Sequence, residues 1–523
     1  MMKRIVAVLL PLAVLSACGG GGGGGGSDGG SASSALSSPP SSFSSGAISG
    51  FGSVIVNGTH WSDGAGVEIT VDDERVTRDD LRVGMVAEVE GTANGDGTGN
   101  ATRIRVQNLV RGPVDSVNAS AGTLVVLGQP VRANGAAVFE DVEDLSGIAP
   151  GDIVEVSGWF ENLDPAQTNT IVARRIQEKS PNFGGPLKVR GLVKNLDSAQ
   201  RTFNINNLVV DFGSAQIQGS SASALQNGLF VDVRAQARPV PLGGTLIADS
   251  VRVTEPKPAP AEGARVEVEG IISDLDPVAM TFTVAGIRVD ASARGVSGLA
   301  NGMKVEVEGT IVNGVLVLAA DEEVEREMEA DVKFEALVQA TDVAGGTLTL
   351  LGKPIQVRAT TQFVDQALKL RTFGLADIQP GDSLRVRAFE DANGDVVAVK
   401  VIRRDPPLQK VILQGRMDTK DPATSSLTIL GIRVQGGPDT EWELRETRVD
   451  AATWFAGTAL NAIVKAAGAE GSDGNSIDAT GGEVETEEDA PVTTTTTSTT
   501  TTTAQTTTTT VTSTATTTTT TTM

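Results

Sequence analysis

Side chains able to do chemistry are few in this 523-residue chain. His60 is the sole histidine and sits in "NGTHWSDG", so no multi-histidine metal centre can form, and a Ser-His-Asp arrangement would need partners from distant parts of the chain. Nothing in the sequence resembles the nucleophile elbow that would expose a catalytic serine. Carboxylates are abundant, and glycoside hydrolysis needs only two. Yet Glu88, Glu155 and Glu306 each alternate with apolar neighbours, the ordinary place for a solvated charge on a half-buried strand. Two acidic stretches, "NGDGTGN" from Asn94 and "DANGD" from Asp391, bring oxygen ligands together as a calcium loop must. Neither follows the D-x-[DN]-x-[DN]-G-x₅-E pattern, and both fall where a hairpin has to turn. The sequence is therefore read as a non-enzyme, with no catalytic residue, no cofactor and no metal ligand. Its remaining candidates are aromatic: Trp61, Trp159 with Phe160, and Trp442 with Trp454 and Phe455 are the possible ligand contacts, since sugar rings stack on indoles. The blander alternative is that these rings cap cores or sit in hairpins.

Cys18, the only cysteine, lies between an apolar run and a run of glycines. Lys3 and Arg4 form a positive start, Ile5 to Leu15 are apolar apart from the break at Pro11, and small residues lead to the cysteine. This run is too short to cross a bilayer of roughly 30 Å, so residues 1–17 read as a signal peptide. The "LSAC" stretch resembles the bacterial lipoprotein signal box, whose cysteine becomes the lipidated first residue; the resemblance implies lipid attachment at Cys18. A glycine rather than an aspartate follows it, which resembles lipoproteins sent to an outer membrane. Residues 18–46, rich in Gly and Ser with Pro39 and Pro40, read as lipid anchor and flexible tether.

With 42 basic and 65 acidic residues the formal charge is −23, the wrong sign for nucleic acid. A single cysteine excludes an intrachain disulfide, leaving apolar burial to supply stability. There is no tyrosine, hence no tyrosine-rich recognition face.

A repeat organises the rest. "GMVAEVEG" from Gly84, "GDIVEVSG" from Gly151, "GLFVDVRA" from Gly228, "GMKVEVEG" from Gly302 and "GDSLRVRA" from Gly381 align without gaps. Apolar pairs such as Ala87/Val89 and Val154/Val156 flank a charged residue, which predicts a half-buried strand. Upstream of each lies a strand pair with a polar turn, as in "VRGLVKNLDSAQRTFNINNLVVD", and downstream a closing arm such as "ATRIRVQ". The units are placed at 47–108, 109–180, 187–255, 263–321, 332–405 and, divergent, 409–487. Linkers join them, including the acidic "ADEEVEREMEAD" from Ala320, read as a solvated segment. Units of this size bury little core, and five short strands do so best by closing on themselves. The expected fold is all-β, a tandem array of about six small five-stranded OB-like barrels.

The opening "ISGFGSVIVNG", followed by "GVEITVDD", "LRVGMVAEVEG" and "ATRIRVQ", resembles an uncharacterised bacterial domain family, numbered 5666 among the domains of unknown function. The resemblance covers most of residues 47–487 and implies repeated small β units, often on lipoproteins; it brings no site residues. Residues 488–523, nearly all threonine after Val492, read as a disordered tail. The expected function is a non-catalytic, membrane-tethered cell-envelope lipoprotein, acting as spacer, scaffold or adhesive surface. Its partners would be the membrane, through the lipid, and an envelope glycan or protein. The alternative is an envelope lipoprotein that binds a glycan or small molecule through the aromatic residues of one barrel.

Overall fold

The computed structural model describes residues 41–180, 183–219, 225–236, 244–254, 260–320, 324–326, 330–404, 410–444 and 447–486. The expected signal peptide, Cys18, the tether as far as residue 40 and the Thr-rich tail lie outside the described residues. Strands dominate what is described, and the α-helix among these residues is the short Ala451–Gly457. The Gly-led segments form Val86–Ala93, Ile153–Phe160, Phe230–Ala235, Lys304–Val312 and Ser383–Glu390. Their apolar pairs are buried, from Ala87 and Val89 to Leu384 and Val386. The leading glycines share a backbone conformation: Gly84, Gly151, Gly228, Gly302 and Gly381 have φ between 83° and 99°. Side chains resist that left-handed turn, which explains why glycine recurs there.

Within residues 110–178 the ladder closes. Val110–Asn118 pairs with Thr123–Val126, that strand with Gln129–Glu140, and that one in parallel with Ile171–Glu178. Ile153–Phe160 then joins Ile171–Glu178 back to Val110–Asn118, making a five-stranded barrel with no free edge.

The expected array of six separate OB-like barrels is overturned by how the strands join. They form four sheets of 13, 9, 4 and 13 strands, and each of the three large sheets runs through two repeat units. Ser42–Gly50 lies parallel to Arg265–Asp276, with Ser42 opposite Arg265 and Ser45 opposite Val268, so the first unit is fused to the fourth. Leu187–Leu192 joins Val110–Asn118, and Val332–Leu337 joins Val411–Asp421. Strands that would have been edges thus pair with another unit instead of with water, and the units are not beads on a string. Two boundaries shift with this. The strand Ser42–Gly50, buried along all its residues, begins inside the stretch expected to be tether. Part of the acidic linker is also structured, since Glu325–Arg326 pairs with Lys304–Val312.

The charged residues of the Gly-led strands depart most from expectation. Glu155 and Asp232, on the outward side of their strands, are buried, and cations of their own units pair with them: Arg111 and Lys179 with Glu155, Lys188 with Asp232. Asp72 and Asp73, at φ 52° and 67°, form the turn between Glu68–Val71 and Glu74–Arg75. That turn inserts among cations of the second and third units. Lys188 is 0% exposed, its ammonium 2.5 Å from Asp72 Oδ1 and 3.4 Å from Asp232 Oδ2. Arg111 lies 3.5 Å from Asp72 and 2.9 Å from Glu155, while Arg234, at 2.9 Å, and Arg252 hold Asp73. Burial alone would push the Asp72 carboxyl up; Lys188 and Arg111 outweigh it and leave the group below its usual range.

The seam between the first and fourth units has the opposite character. Glu267 stands across from Glu308 and one strand from Glu306, and accepts a hydrogen bond from Ser44 Oγ at 3.4 Å. Burial, reinforced by the neighbouring Glu306 carboxylate, pushes Glu267 up to about 9 from an ordinary 4.5.

Two outcomes follow. Lys188→Met strands Asp72 and Asp232 without their ammonium and is expected to cost about 3–5 kcal/mol in urea unfolding; a loss under about 1 kcal/mol would show that the network is not what joins these units. Glu267 keeps a proton that the unfolded chain releases above pH 4.5, so its contribution is full below that pH and lost as pH rises through about 9. Glu267→Gln should flatten the fall in thermal stability across that interval; an unchanged slope would assign the fall to other groups.

Candidate functional site

A cleft of about 770 Å³ opens among the described residues. Three segments build it: the turn after Thr77, the end of Gln129–Glu140 with the residues after it, and the end of Lys353–Asp365 with the loop to Arg371. Asp365 shapes that loop. Its carboxylate accepts from the backbone N–H groups of Ala367, Leu368 and Leu370 at 3.0–3.1 Å and pairs with Arg403 at 2.7 Å. Burial would raise the Asp365 carboxyl, but these donors hold it below its usual range. The loop then carries Leu368 and Leu370 into solvent. Arg371 turns back, its guanidinium 3.8 Å from the centre of the Phe51 ring and donating to the Arg78 carbonyl.

Two glutamates of the cleft are held by arginines. Arg82 sits 3.4 Å from Glu140, which also takes Arg175, and Glu143 is held by Arg385 at 2.5 Å and by Arg404. A general acid needs a carboxyl kept protonated, and a nucleophile needs an adjacent base. The cleft offers Glu140, Glu143 and Asp365 tied to guanidiniums, with neither histidine nor cysteine in its wall. The described residues form an all-β body with no clear catalytic site.

The residues singled out by sequence are dispersed. His60 is exposed on the strand Thr59–Ser62, its Nδ1 3.3 Å from Ser53 Oγ. Trp61 is buried in the core of the first unit. Trp442, Trp454 and Phe455 pack on one another at 5.0–5.1 Å, and Trp454 Nε1 donates to the Glu443 carbonyl at 3.0 Å. This cluster is sealed in the core, so its faces are covered by protein and unavailable to a sugar ring. Trp159 is also buried, between the cations Arg174 and Lys304, whereas Phe160 is half-buried and packs edge-to-face on Phe230 at 5.7 Å. Of the six, Trp159 and Phe160 line a smaller pocket.

The acidic loops use their oxygens for turns. Asp96 Oδ1 accepts from the Thr98 amide and hydroxyl at 3.0 and 2.6 Å, and Asp391 Oδ1 from the amides of Asn393 and Asp395 at 2.9 and 3.1 Å. Glu443, Glu483 and Glu485 approach one another closely enough for a cation, but Lys465 Nζ lies 3.2 Å from Glu483 and 2.7 Å from Glu485.

Sequence reasoning missed a cross-strand pair that recurs on the outer face of every unit. Ser45 stands opposite Glu88, Arg111 opposite Glu155, Arg190 opposite Asp232, Glu269 opposite Glu306, Glu335 opposite Arg385 and Gln414 opposite Lys465. A signal existed: where the Gly-led strand carries Arg385 instead of an acid, the upstream "FEA" carries Glu335 where "VRG" has arginine.

Four segments, residues 45–105, 111–177, 269–320 and 336–402, match the family model described as "Domain of unknown function (DUF5666)". They fall in the first, second, fourth and fifth units. No curated protein matches the chain.

The stacked contact between Arg371 and Phe51 closes one side of the cleft and is expected to contribute roughly 0.5–2 kcal/mol. A double-mutant cycle with Phe51→Leu and Arg371→Met should return a coupling energy in that range; additive effects would mean that the two side chains are merely adjacent.

Proposed function

We propose that this chain is a non-catalytic structural protein of the bacterial cell envelope, tethered by lipid at Cys18, whose folded body transmits tension between its anchor and its C-terminal tail. The observation that carries this is the placement of the first and last strands. Ser42–Gly50, the first strand after the tether, is hydrogen-bonded on both sides, from Ser42 to Ala47 along Val86–Ala93 and from Ser42 to Ser45 along Arg265–Asp276. Ser476–Thr486, the last strand before the tail, is likewise flanked by Ile463–Glu470 on one side and by Ile432–Gln435 and Glu441–Leu444 on the other. Force entering at either end loads many ladder bonds together, in shear, instead of opening them singly. An edge strand would peel.

Sequence supports the tether: the positive start, the short apolar run and "LSAC" resemble a lipoprotein signal, and Gly19 after the cysteine favours the outer membrane. The lack of a poised acid, base or nucleophile in the cleft agrees with a structural role.

Two measurements test the reading. Cys18→Ser should move the protein from the membrane to the soluble envelope fraction; continued membrane association would remove the lipid anchor from the proposal. Pulled from its two ends, the chain should resist in a rupture step that Ser44→Pro, which removes a ladder donor, weakens. Equal rupture forces for the two proteins would dispose of the tension-bearing role.

A further inference from the structure

Four repeat units meet around a second pocket, of about 90 Å³. Glu88 and Arg105 come from the first, Trp159 and Phe160 from the second, Arg190 and Phe230 from the third, and the turn at Ala285 and Gly286 from the fourth. At about 30 Å³ per water, the space holds roughly three waters or one group of a few heavy atoms. A pyranose ring does not fit.

Its charges are uneven. Arg105 is committed to Glu88, with Nε 2.9 Å from the carboxylate. Arg190 is not matched in this way. Its guanidinium lies over the Phe230 ring at 5.2 Å, and its Nε is buried without a hydrogen bond, 3.8 Å from Asp232 Oδ2. That same oxygen is already shared with Lys188 and Arg252, each at 3.4 Å. Trp159 adds a second unsatisfied donor: its Nε1–H is buried and has no acceptor among the described residues. Arg174 and Lys304 also lie near the Trp159 ring, at 5.8 and 5.3 Å, but both are paired with the Glu269 carboxylate, so the unmatched donors are those of Arg190 and Trp159. In a chain of formal charge −23, this wall presents two guanidiniums and one carboxylate. Buried N–H donors without acceptors are costly, and an anion that accepts from them relieves the cost.

We propose that this pocket binds an acetate-sized carboxylate. Its oxygens pair with the Arg190 guanidinium and accept from Trp159 Nε1–H, while its methyl group packs against the edge-to-face pair of Phe160 and Phe230. The site goes beyond the structural role proposed above and does not depend on it. Because four units contribute to it, it belongs to the assembled body and to no single repeat.

The test uses the full chain in detergent and carboxylate-free buffer, labelled with 5-fluorotryptophan. Its four tryptophans give four fluorine resonances, with that of Trp159 identified by Trp159→Phe. Acetate should shift the Trp159 resonance saturably and leave the other three in place. Acetamide, of the same shape but neutral, should bind at least about tenfold more weakly. Arg190→Met should weaken acetate by about tenfold or more, and Arg190→Lys, which keeps the charge but loses the planar fork over Phe230, should bind with intermediate affinity. The three other resonances report whether each variant is folded. A Trp159 resonance that does not saturate with acetate, responds equally to acetamide, or is indifferent to Arg190→Met in a folded variant would overturn the proposal and leave a water-filled seam.

Discussion

An ammonium group wholly removed from water has to be met by carboxylates, and Lys188 is met by two that come from different repeat units. Asp232 belongs to the neighbouring strand of its own sheet, whereas Asp72 is delivered by a turn of the first unit. Neither the ammonium nor the carboxylates could be buried alone, because the desolvation of each is tolerable only with the others in place. The contact is therefore conditional on assembly. An isolated third unit would expose Lys188 to water, and an isolated first unit would expose the Asp72 turn. Apolar cores run through the second and third units together and through the fifth and sixth, and these ions tie the turn of the first unit to the second and third.

The same logic explains the unequal fates of one strand position. Alternation along a Gly-led strand specifies that Ala87, Val154, Val231, Val305 and Leu384 point inward, and all are buried. It says only that the intervening residue points the other way. Whether that way leads to water depends on what covers the sheet, and periodicity within a unit carries no information about a neighbour's position. Core, strand content and repeat spacing were accordingly legible, down to the recurrent left-handed glycine. The burial of Glu155 and Asp232 was not, nor was the fusion of the first unit to the fourth across two intervening units. Covariation of sign between the "VRG" or "FEA" residue and its Gly-led partner was the available clue, and it requires comparing units with one another instead of reading each in turn.

Aromatic residues were legible as chemistry and misleading as location. Trp442, Trp454 and Phe455 look like a stacking platform because three large rings lie near one another in sequence. Their number is what buries them: rings in mutual contact exclude water most effectively when they face inward, and the Trp454 indole finds its acceptor in the Glu443 carbonyl. Trp159 is buried too, but the space beside it lies between units and is walled partly by charged side chains, among them Glu88, Arg105 and Arg190.

Repetition of a small β unit would ordinarily repeat any site it carries, so that six weak copies would resemble an adhesive surface. Here the residues that vary between copies lie on the outer faces, and fusion turns those faces inward. The pair Glu269 and Glu306 places two acids where other units place opposite charges, and Glu335 with Arg385 reverses the sign found at Arg111 with Glu155. The junctions differ as well: an ion-paired one around Lys188, an acid-rich one at Glu267, and a mixed one lining the cleft at Glu143. What distinguishes parts of this molecule from one another therefore resides between units, and the concavities able to hold a ligand occur there for the same reason.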